Sequence, residues 1–216
     1  MAPPSSPAIS VTTRAVVELA RTLSWKKHMH EHQQPYSSQS SPLQSPGGKL
    51  QADAFVAYAD GSSLHNPGPA GWAVLIVHPD GTEQMRVGSE PHATNNQMEL
   101  RAAIEALQAL PHGASGVIHC DSEYVVRGVT EWRLAWERRG WRNSKGQPVA
   151  NADLWRALHR LSDERPGVRF AWVRGHAGDH ANEFVNMLAR DQAFKATEQG
   201  GRSYETYFVP VEVGDA

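Results

Sequence analysis

The pattern of apolar and polar positions divides the chain into a polar N-terminal part and a longer part with regular periodicity. Between His28 and Gly48 the residues are mostly His, Gln, Ser and Pro. These residues cannot bury enough apolar surface to offset the entropy lost on ordering. We therefore expect 1–51 to be a disordered extension rich in Ser, Pro and Gln, 52–197 to be one folded domain, and 198–216, which shows no clear period, to be a C-terminal tail.

Short apolar segments within the periodic part predict a mixed sheet. Residues 54–59 and 71–78 read as buried strands, and Asp80-Gly81 is a hairpin signal, so 83–89 should return as a third antiparallel strand. Further along, the pattern alternates between helix and strand, with segments at 98–110, 117–120, 124–129, 153–161, 168–173 and 182–196. The order predicts an α/β fold with a five-stranded mixed sheet, three antiparallel strands first, and helices on both faces.

Composition narrows the class of protein. At 216 residues the chain fits one domain, and its net charge of −2 provides no global basic field for nucleic acid, so any polyanion must be held by local patches or by metal. The single cysteine, Cys120, excludes an internal disulfide framework and is typical of a reducing compartment. No apolar run approaches the roughly 18 residues that span a bilayer.

These features favour a cytoplasmic protein. Residues 15–23 could form a short amphipathic helix, and Arg14 precedes any acidic residue, so organelle targeting by the extension stays open, although the segment has few basic residues. Met29 is an alternative start. We expect a monomer without a membrane partner, and no protein partner can be deduced.

Three acidic residues stand in distinctive surroundings. Asp60 follows the first strand, Glu99 lies at the start of the long helix, and Asp121 follows the fourth strand. Singly, each has a structural explanation: Asp60 as a turn former, Glu99 as half of a capping box with Asn96, and Asp121 as a helix cap. If the fold brings them to one cleft, however, their mutual repulsion requires a hard divalent cation.

Four motifs in this order resemble ribonuclease H of the bacterial type I family, and the likeness extends over about residues 54–195. The motifs are Asp60-Gly61-Ser62 through Asn66-Pro67-Gly68-Pro69, Thr94-Asn95-Asn96-Gln97-Met98-Glu99-Leu100, Asp121-Ser122, and Gly175-His176-Ala177-Gly178. The resemblance implies the ribonuclease H-like fold and endonucleolytic cleavage of the RNA strand of an RNA–DNA hybrid, leaving 5′-phosphate and 3′-hydroxyl ends.

The resemblance also assigns the catalytic site. It implies two Mg²⁺ ions, with Mn²⁺ as a possible substitute, bridged by Asp60 and held by Glu99 and Asp121 as further ligands. His176, between glycines, would move a proton or help the product leave.

The chain departs from the family pattern at the fourth metal-binding position, where the expected Asp is Asn186. An amide offers an oxygen but no charge, so the second metal should bind more weakly. Glu183, Asp179 and His180 are candidates to compensate. A second departure is Glu123, which replaces a Gln common in the family and places a negative charge near the substrate.

By resemblance, substrate contacts fall into two groups. Sugar hydroxyls and bases near the cut would be touched by Asn66, Asn95 and Asn96, with Ser62 and Thr94 as auxiliaries. The segment 132–149 resembles a protruding basic loop that grips the DNA strand, with contacts expected from Trp132, Arg138, Arg139, Trp141 and Lys145. The alternative interpretation is a solvated helix whose Trp residues pack on the core, and we expect Trp132 and Trp136 to pack there in either case.

Two other functions remain open on the sequence. Asn186 leaves room for a catalytically weakened hybrid-binding protein. A proofreading exonuclease of the same fold is disfavoured, because that group has a Glu where this chain has Ser62.

Overall fold

The structure, a computed structural model, describes residues 54–175 and 177–209. The predicted extension over 1–51 and the catalytic candidate His176 lie outside these residues. Six strands form one sheet in the order β5-β4-β1-β2-β3-β6. Their bounds are β1 Phe55–Ser63, β2 Gly68–Val77, β3 Glu83–Ala93, β4 Ser115–Cys120, β5 Gly167–Trp172 and β6 Ser203–Val209.

Strand directions confirm the predicted mixed sheet. β1, β2 and β3 pair antiparallel in succession. β4 then pairs parallel to β1, and β5 pairs parallel to β4. Parallel neighbours need a crossover, which here contains the helices that the alternating pattern indicated.

The number of strands was predicted wrongly, because β6 lies in the segment expected to be a tail. β6 pairs antiparallel with β3, and the Ser203 and Ser89 hydroxyls meet at 2.9 Å. Tyr204, on the same strand, hydrogen-bonds to the guanidinium of Arg86. An edge strand buries few side chains, so its own pattern is weak and pairing with β3 decides its conformation. The domain boundary itself stays a prediction.

Five α-helices accompany the sheet within the described residues. Their bounds are α1 Asn95–Ala109, α2 Glu123–Arg127, α3 Arg133–Arg138, α4 Ala152–Glu164 and α5 His180–Gln199. A π-helical turn, Gly128–Trp132, joins α2 to α3. The first part of the expected protruding loop, as far as Arg138, is therefore helical. Gly128 lies against the Trp155 ring, and a Cβ there would come within 1.9 Å of it, so this close approach requires glycine.

Two glycines show that helices cover both faces, as predicted. A Cβ on Gly61 would meet the backbone of α1, whereas a Cβ on Gly71 would meet the backbone of α5. Gly71 pairs with Ser62, the neighbour of Gly61 in β1, and successive strand residues point to opposite faces. α1 and α4 pack together over one face around the buried Leu107 and Trp155. No described helix is both long enough and apolar enough to cross a membrane.

Candidate active site

Three carboxylates from different elements converge at one end of the sheet. Asp60 lies in β1, Glu99 in α1, and Asp121 directly after β4. One oxygen of each lies within 4.8 Å of the others. Asp60 and Glu99 are only 4% and 6% exposed, and Asp121 is half-buried. Among the described residues, this is the one group of three or more acidic, His or Cys side chains close enough to share a metal ion.

Asp60 occupies the interior of β1, and its predicted place after the strand is wrong. The strand continues to Ser63 because Ser62 and Ser63 pair with Gly71 and Ala70 of β2. The amide of Gly61 donates a hydrogen bond of 2.8 Å to Asp60 Oδ1. Asp60 is therefore held by a rigid strand instead of a flexible turn.

Gly61 explains how Glu99 reaches Asp60. A Cβ on Gly61 would lie 2.2 Å from both the Glu99 nitrogen and the Met98 carbonyl carbon. Because glycine has no Cβ, α1 can approach β1 closely at this point. The Asp-Gly pair in the sequence thus provides one ligand and the space for a second.

Local capping accounts for neither Glu99 nor Asp121. The capping box of α1 is formed by Thr94 and Gln97 and does not include Glu99. α2 is capped by Ser122, whose side chain accepts a hydrogen bond from the Val125 amide. The structural explanations considered for all three carboxylates are therefore wrong, and the three share a site instead.

Burial makes the cluster electrostatically costly. Burial, with the Asp121 charge as a second cause, raises the pKa of Asp60 to about 7. Burial also raises the pKa of Glu99 well above its ordinary value, with Asp60 as the next cause. A divalent cation would relieve this repulsion, and three carboxylates are the oxygen ligands that Mg²⁺ and similar hard ions prefer. The donor set thus fits a divalent metal.

Asp121 is held by three residues that the sequence did not single out as site residues. Asn182 Nδ2 donates to Asp121 Oδ2 at 3.3 Å, and the Trp172 indole donates to the Asp121 main-chain oxygen at 3.0 Å. A Cβ on Gly175 would lie 2.7 Å from Asp121 Oδ2. Gly175 belongs to a recognised motif, but nothing in the sequence pattern marked Asn182 or Trp172.

The fourth ligand position, Asn186, lies half-buried on α5, one turn after Asn182. The two carboxylates suggested to compensate, Asp179 and Glu183, already have local roles. Asp179 caps α5 by accepting hydrogen bonds from the first-turn amides, and Glu183 accepts one of 3.2 Å from the Gly178 amide. The weakened second metal site stays a prediction.

The asparagines expected to contact substrate also organise the start of α1. Asn95 Oδ1 accepts from the Ser63 amide at 3.2 Å, and its Nδ2 donates to Glu99 Oε1 at 3.5 Å. Asn66 Oδ1 accepts from the Asn95 amide at 2.9 Å. Asn96 and Asn66 are exposed near the carboxylates, whereas the Thr94 hydroxyl and Ser62 are partly buried.

Comparison with known proteins identifies the family. The family model described as RNase H matches residues 52–194. The chain is 47% identical over 148 residues to the ribonuclease H of Xanthomonas campestris pv. campestris (strain 8004), covering 68% of this chain and 96% of that protein. It is 49% identical over 137 residues to the ribonuclease HI of Xylella fastidiosa (strain 9a5c), covering 63% and 90%. The chain belongs to the ribonuclease H family.

The bacterial type I resemblance is thereby confirmed, and a solved structure supports the fold. The crystal structure of LC9-RNase H1, described as a type 1 RNase H with the type 2 active-site motif, is 35% identical with a TM-score of 0.61. The similarity covers 73% of this chain and 80% of that one.

The protruding segment of this ribonuclease H, residues 132–149, is anchored by aromatic packing. Trp136 contacts the rings of Trp132, Trp141 and Trp155 at centroid distances of 5.6, 6.4 and 5.1 Å. The Arg156 guanidinium lies 4.6 Å from the Trp141 ring centroid. The predicted core packing is therefore confirmed for Trp136, and Trp141 packs on the core as well. Trp132 instead contacts the rings of Tyr124 and Trp136.

The basic side chains of the protruding segment differ in exposure and in ion pairing. Arg133 makes two hydrogen bonds of 2.6 Å to Asp163 and one of 2.8 Å to Glu137. The side chains of Arg138, Arg139 and Lys145 are exposed. These three cations are therefore accessible to solvent, while Arg133 is committed to an ion pair, and phosphate contact stays a prediction.

Proposed function

We propose that this ribonuclease H hydrolyses the RNA strand of RNA–DNA hybrids at the site formed by Asp60, Glu99 and Asp121. The observation that carries the proposal is the convergence of three carboxylates, two of them buried, within 4.8 Å in a chain of this family. Turn formation and helix capping do not account for these carboxylates. Without a cation, such a cluster is relieved at neutral pH by protonation of a carboxylate, whereas a bound divalent cation allows all three to stay ionised.

The cofactor in this proposal is a pair of Mg²⁺ ions, with Mn²⁺ as a substitute. When bound, two divalent ions would supply an activated water and stabilise charge on the leaving 3′ oxygen, giving 5′-phosphate and 3′-hydroxyl ends. Asp60, Glu99 and Asp121 would hold the ions, together with the weaker ligand Asn186. His176 would move the proton or assist product release.

Substrate recognition in this proposal combines a polar surface beside the carboxylates with the protruding segment. Asn66 and Asn96 are exposed near the site, where amides can contact the 2′-hydroxyls that distinguish RNA from DNA. The exposed cations Arg138, Arg139 and Lys145 would hold the DNA strand through its phosphates. These contacts require no base sequence, which suits an enzyme that acts on hybrids in general.

A second candidate, a hybrid-binding protein with little turnover, is supported by Asn186 alone. Incubation of an end-labelled hybrid with the full chain in Mg²⁺ distinguishes the two. A ladder of RNA fragments is the expected result. An electrophoretically shifted but intact hybrid would favour the binder, and release of mononucleotides alone would favour an exonuclease.

A further inference from the structure

Helix α5 places the buried side-chain amide of Asn182 against Asp121 of the carboxylate site. Asn182, in its first turn, is 1% exposed. Its Nδ2 donates to Asp121 Oδ2, and no donor among residues 54–175 and 177–209 reaches its buried Oδ1. A buried amide with one unsatisfied oxygen is unfavourable for folding. A leucine of similar shape would avoid that cost, so stability does not explain Asn182.

The surroundings of Asn182 leave its amide little freedom. Asp179 Oδ1 accepts a hydrogen bond of 3.1 Å from the Asn182 main-chain nitrogen, which fixes the backbone at the start of α5. On the Asp121 side of this contact, the Trp172 indole donates a hydrogen bond to the main-chain oxygen of Asp121. With both backbones fixed, the remaining variable is rotation of the Asp121 carboxylate, and Asn182 hydrogen-bonds to one of its two oxygens.

We propose that Asn182 is a positioning residue that orients the Asp121 carboxylate toward Asp60 and Glu99. The inference rests on the proposed function in one respect only, that Asp121 helps to hold a divalent cation. Asn182 touches neither substrate nor cation in this proposal. Partners that orient metal ligands typically change metal affinity by 10–100-fold when they are removed.

The test is a calorimetric titration of the full chain with Mn²⁺ and with Mg²⁺, without substrate, for the parent and for Asn182→Leu. We expect the variant to bind the metal about tenfold more weakly. In EDTA its Tm should equal that of the parent or exceed it by about 2–4 °C, because an unsatisfied amide has been removed. A purely structural role predicts the reverse, a lower Tm with unchanged metal affinity.

Gln192→Met is the matched control. Gln192 is a second buried amide on α5, 2% exposed, whose oxygen also lacks a described donor. It lies more than two turns beyond Asn182, against Gly71 of β2. Its replacement should leave metal affinity unchanged. Equal losses of affinity in Gln192→Met and Asn182→Leu would mean that α5 acts only through general packing, which would refute the proposal.

A double-mutant cycle with Asp121→Asn tests the route of the effect. If Asn182 acts through Asp121, adding Asn182→Leu to Asp121→Asn causes no further loss of metal affinity. Additive losses would refute positioning through Asp121. The readout separates the two proposals: a parent that binds Mn²⁺ but leaves hybrid uncut contradicts the proposed function, whereas a parent that cuts hybrid, with Asn182→Leu binding metal equally well, contradicts this inference.

Discussion

The carboxylate site and the protruding segment carry opposite charges in opposite environments. Asp60 and Glu99 are buried, and burial raises the pKa of both. Arg138, Arg139 and Lys145 are exposed, and the segment is anchored by tryptophan rings and by the ion pair of Arg133 with Asp163. In the carboxylate site, repulsion between buried charges is unfavourable, and a bound cation can relieve it. In the protruding segment, the exposed charges stay hydrated until they contact phosphates. Catalysis and binding should therefore be separable by mutation.

Replacing Asp60 should separate catalysis from hybrid binding most sharply. Asp60→Asn is expected to lower the cleavage rate on the order of 1000-fold, because metal ions contribute several kcal/mol to such reactions. Hybrid affinity in EDTA should stay close to that of the parent, since the exposed cations are untouched. Single-turnover cleavage and gel-shift measurements check both. Asp80→Asn, in an exposed turn, is the control, and near-parent cleavage by Asp60→Asn would exclude Asp60 as a metal ligand.

The same substitution should reveal the electrostatic cost of the site without metal. The pKa of Asp60 is raised from 3.8 to about 7, so between these values the folded protein binds more protons than the unfolded chain. Stability in EDTA should therefore fall as pH rises from about 4 to 7, by up to about 4 kcal/mol.

Asp60→Asn cannot ionise at that position, so its stability relative to the parent should increase over this pH range. Urea unfolding at several pH values in EDTA measures the difference. A difference that is constant from pH 4 to 8 would show that Asp60 ionises normally in the folded protein.

Neutralising the exposed cations should affect binding alone. Replacing Arg138, Arg139 and Lys145 together by Gln should weaken hybrid binding on the order of 100-fold, and each lost phosphate contact should reduce the log–log salt slope by about 0.9. Arg133→Gln is the control within the same segment, because Arg133 is paired with Asp163. It should lower stability and leave the slope unchanged. An unaltered slope in the triple variant would mean that this surface does not face the substrate.

The smallest expected effect concerns Asn186, the predicted fourth metal-ligand position. Asn186→Asp should raise the cleavage rate by about tenfold at low Mg²⁺, equivalent to about 1.4 kcal/mol of metal binding, and Mn²⁺ should narrow the gap.

Glu183→Gln, which keeps the acceptor oxygen for the Gly178 amide but removes the charge, tests compensation in the parent and in Asn186→Asp. If Glu183 compensates, its loss slows the parent more than Asn186→Asp. Equal rates for the parent and Asn186→Asp at every Mg²⁺ concentration would show that a charged fourth ligand is dispensable.

Most of the fold followed from sequence because its strands and helices carry strong patterns. The three antiparallel strands and the alternation of helices and strands after them were predicted from local residues. β6 was missed because an edge strand depends on its neighbour for pairing. The interior position of Asp60 was missed because the serines that follow it read as a loop, although β2 provides them with partners.

The sequence by itself determined the family, the succession of strands β1 to β5 along the chain and the identity of the three carboxylates, because these depend on local motifs and periodicity. Tertiary structure alone decided which side chains surround them. Asn182 lies 61 positions from Asp121, and Arg133 lies 30 from Asp163, so neither pair leaves a local signal. Burial, which raises the pKa of Asp60 and leaves Asn182 Oδ1 without a donor among the described residues, exists only once distant segments have packed together.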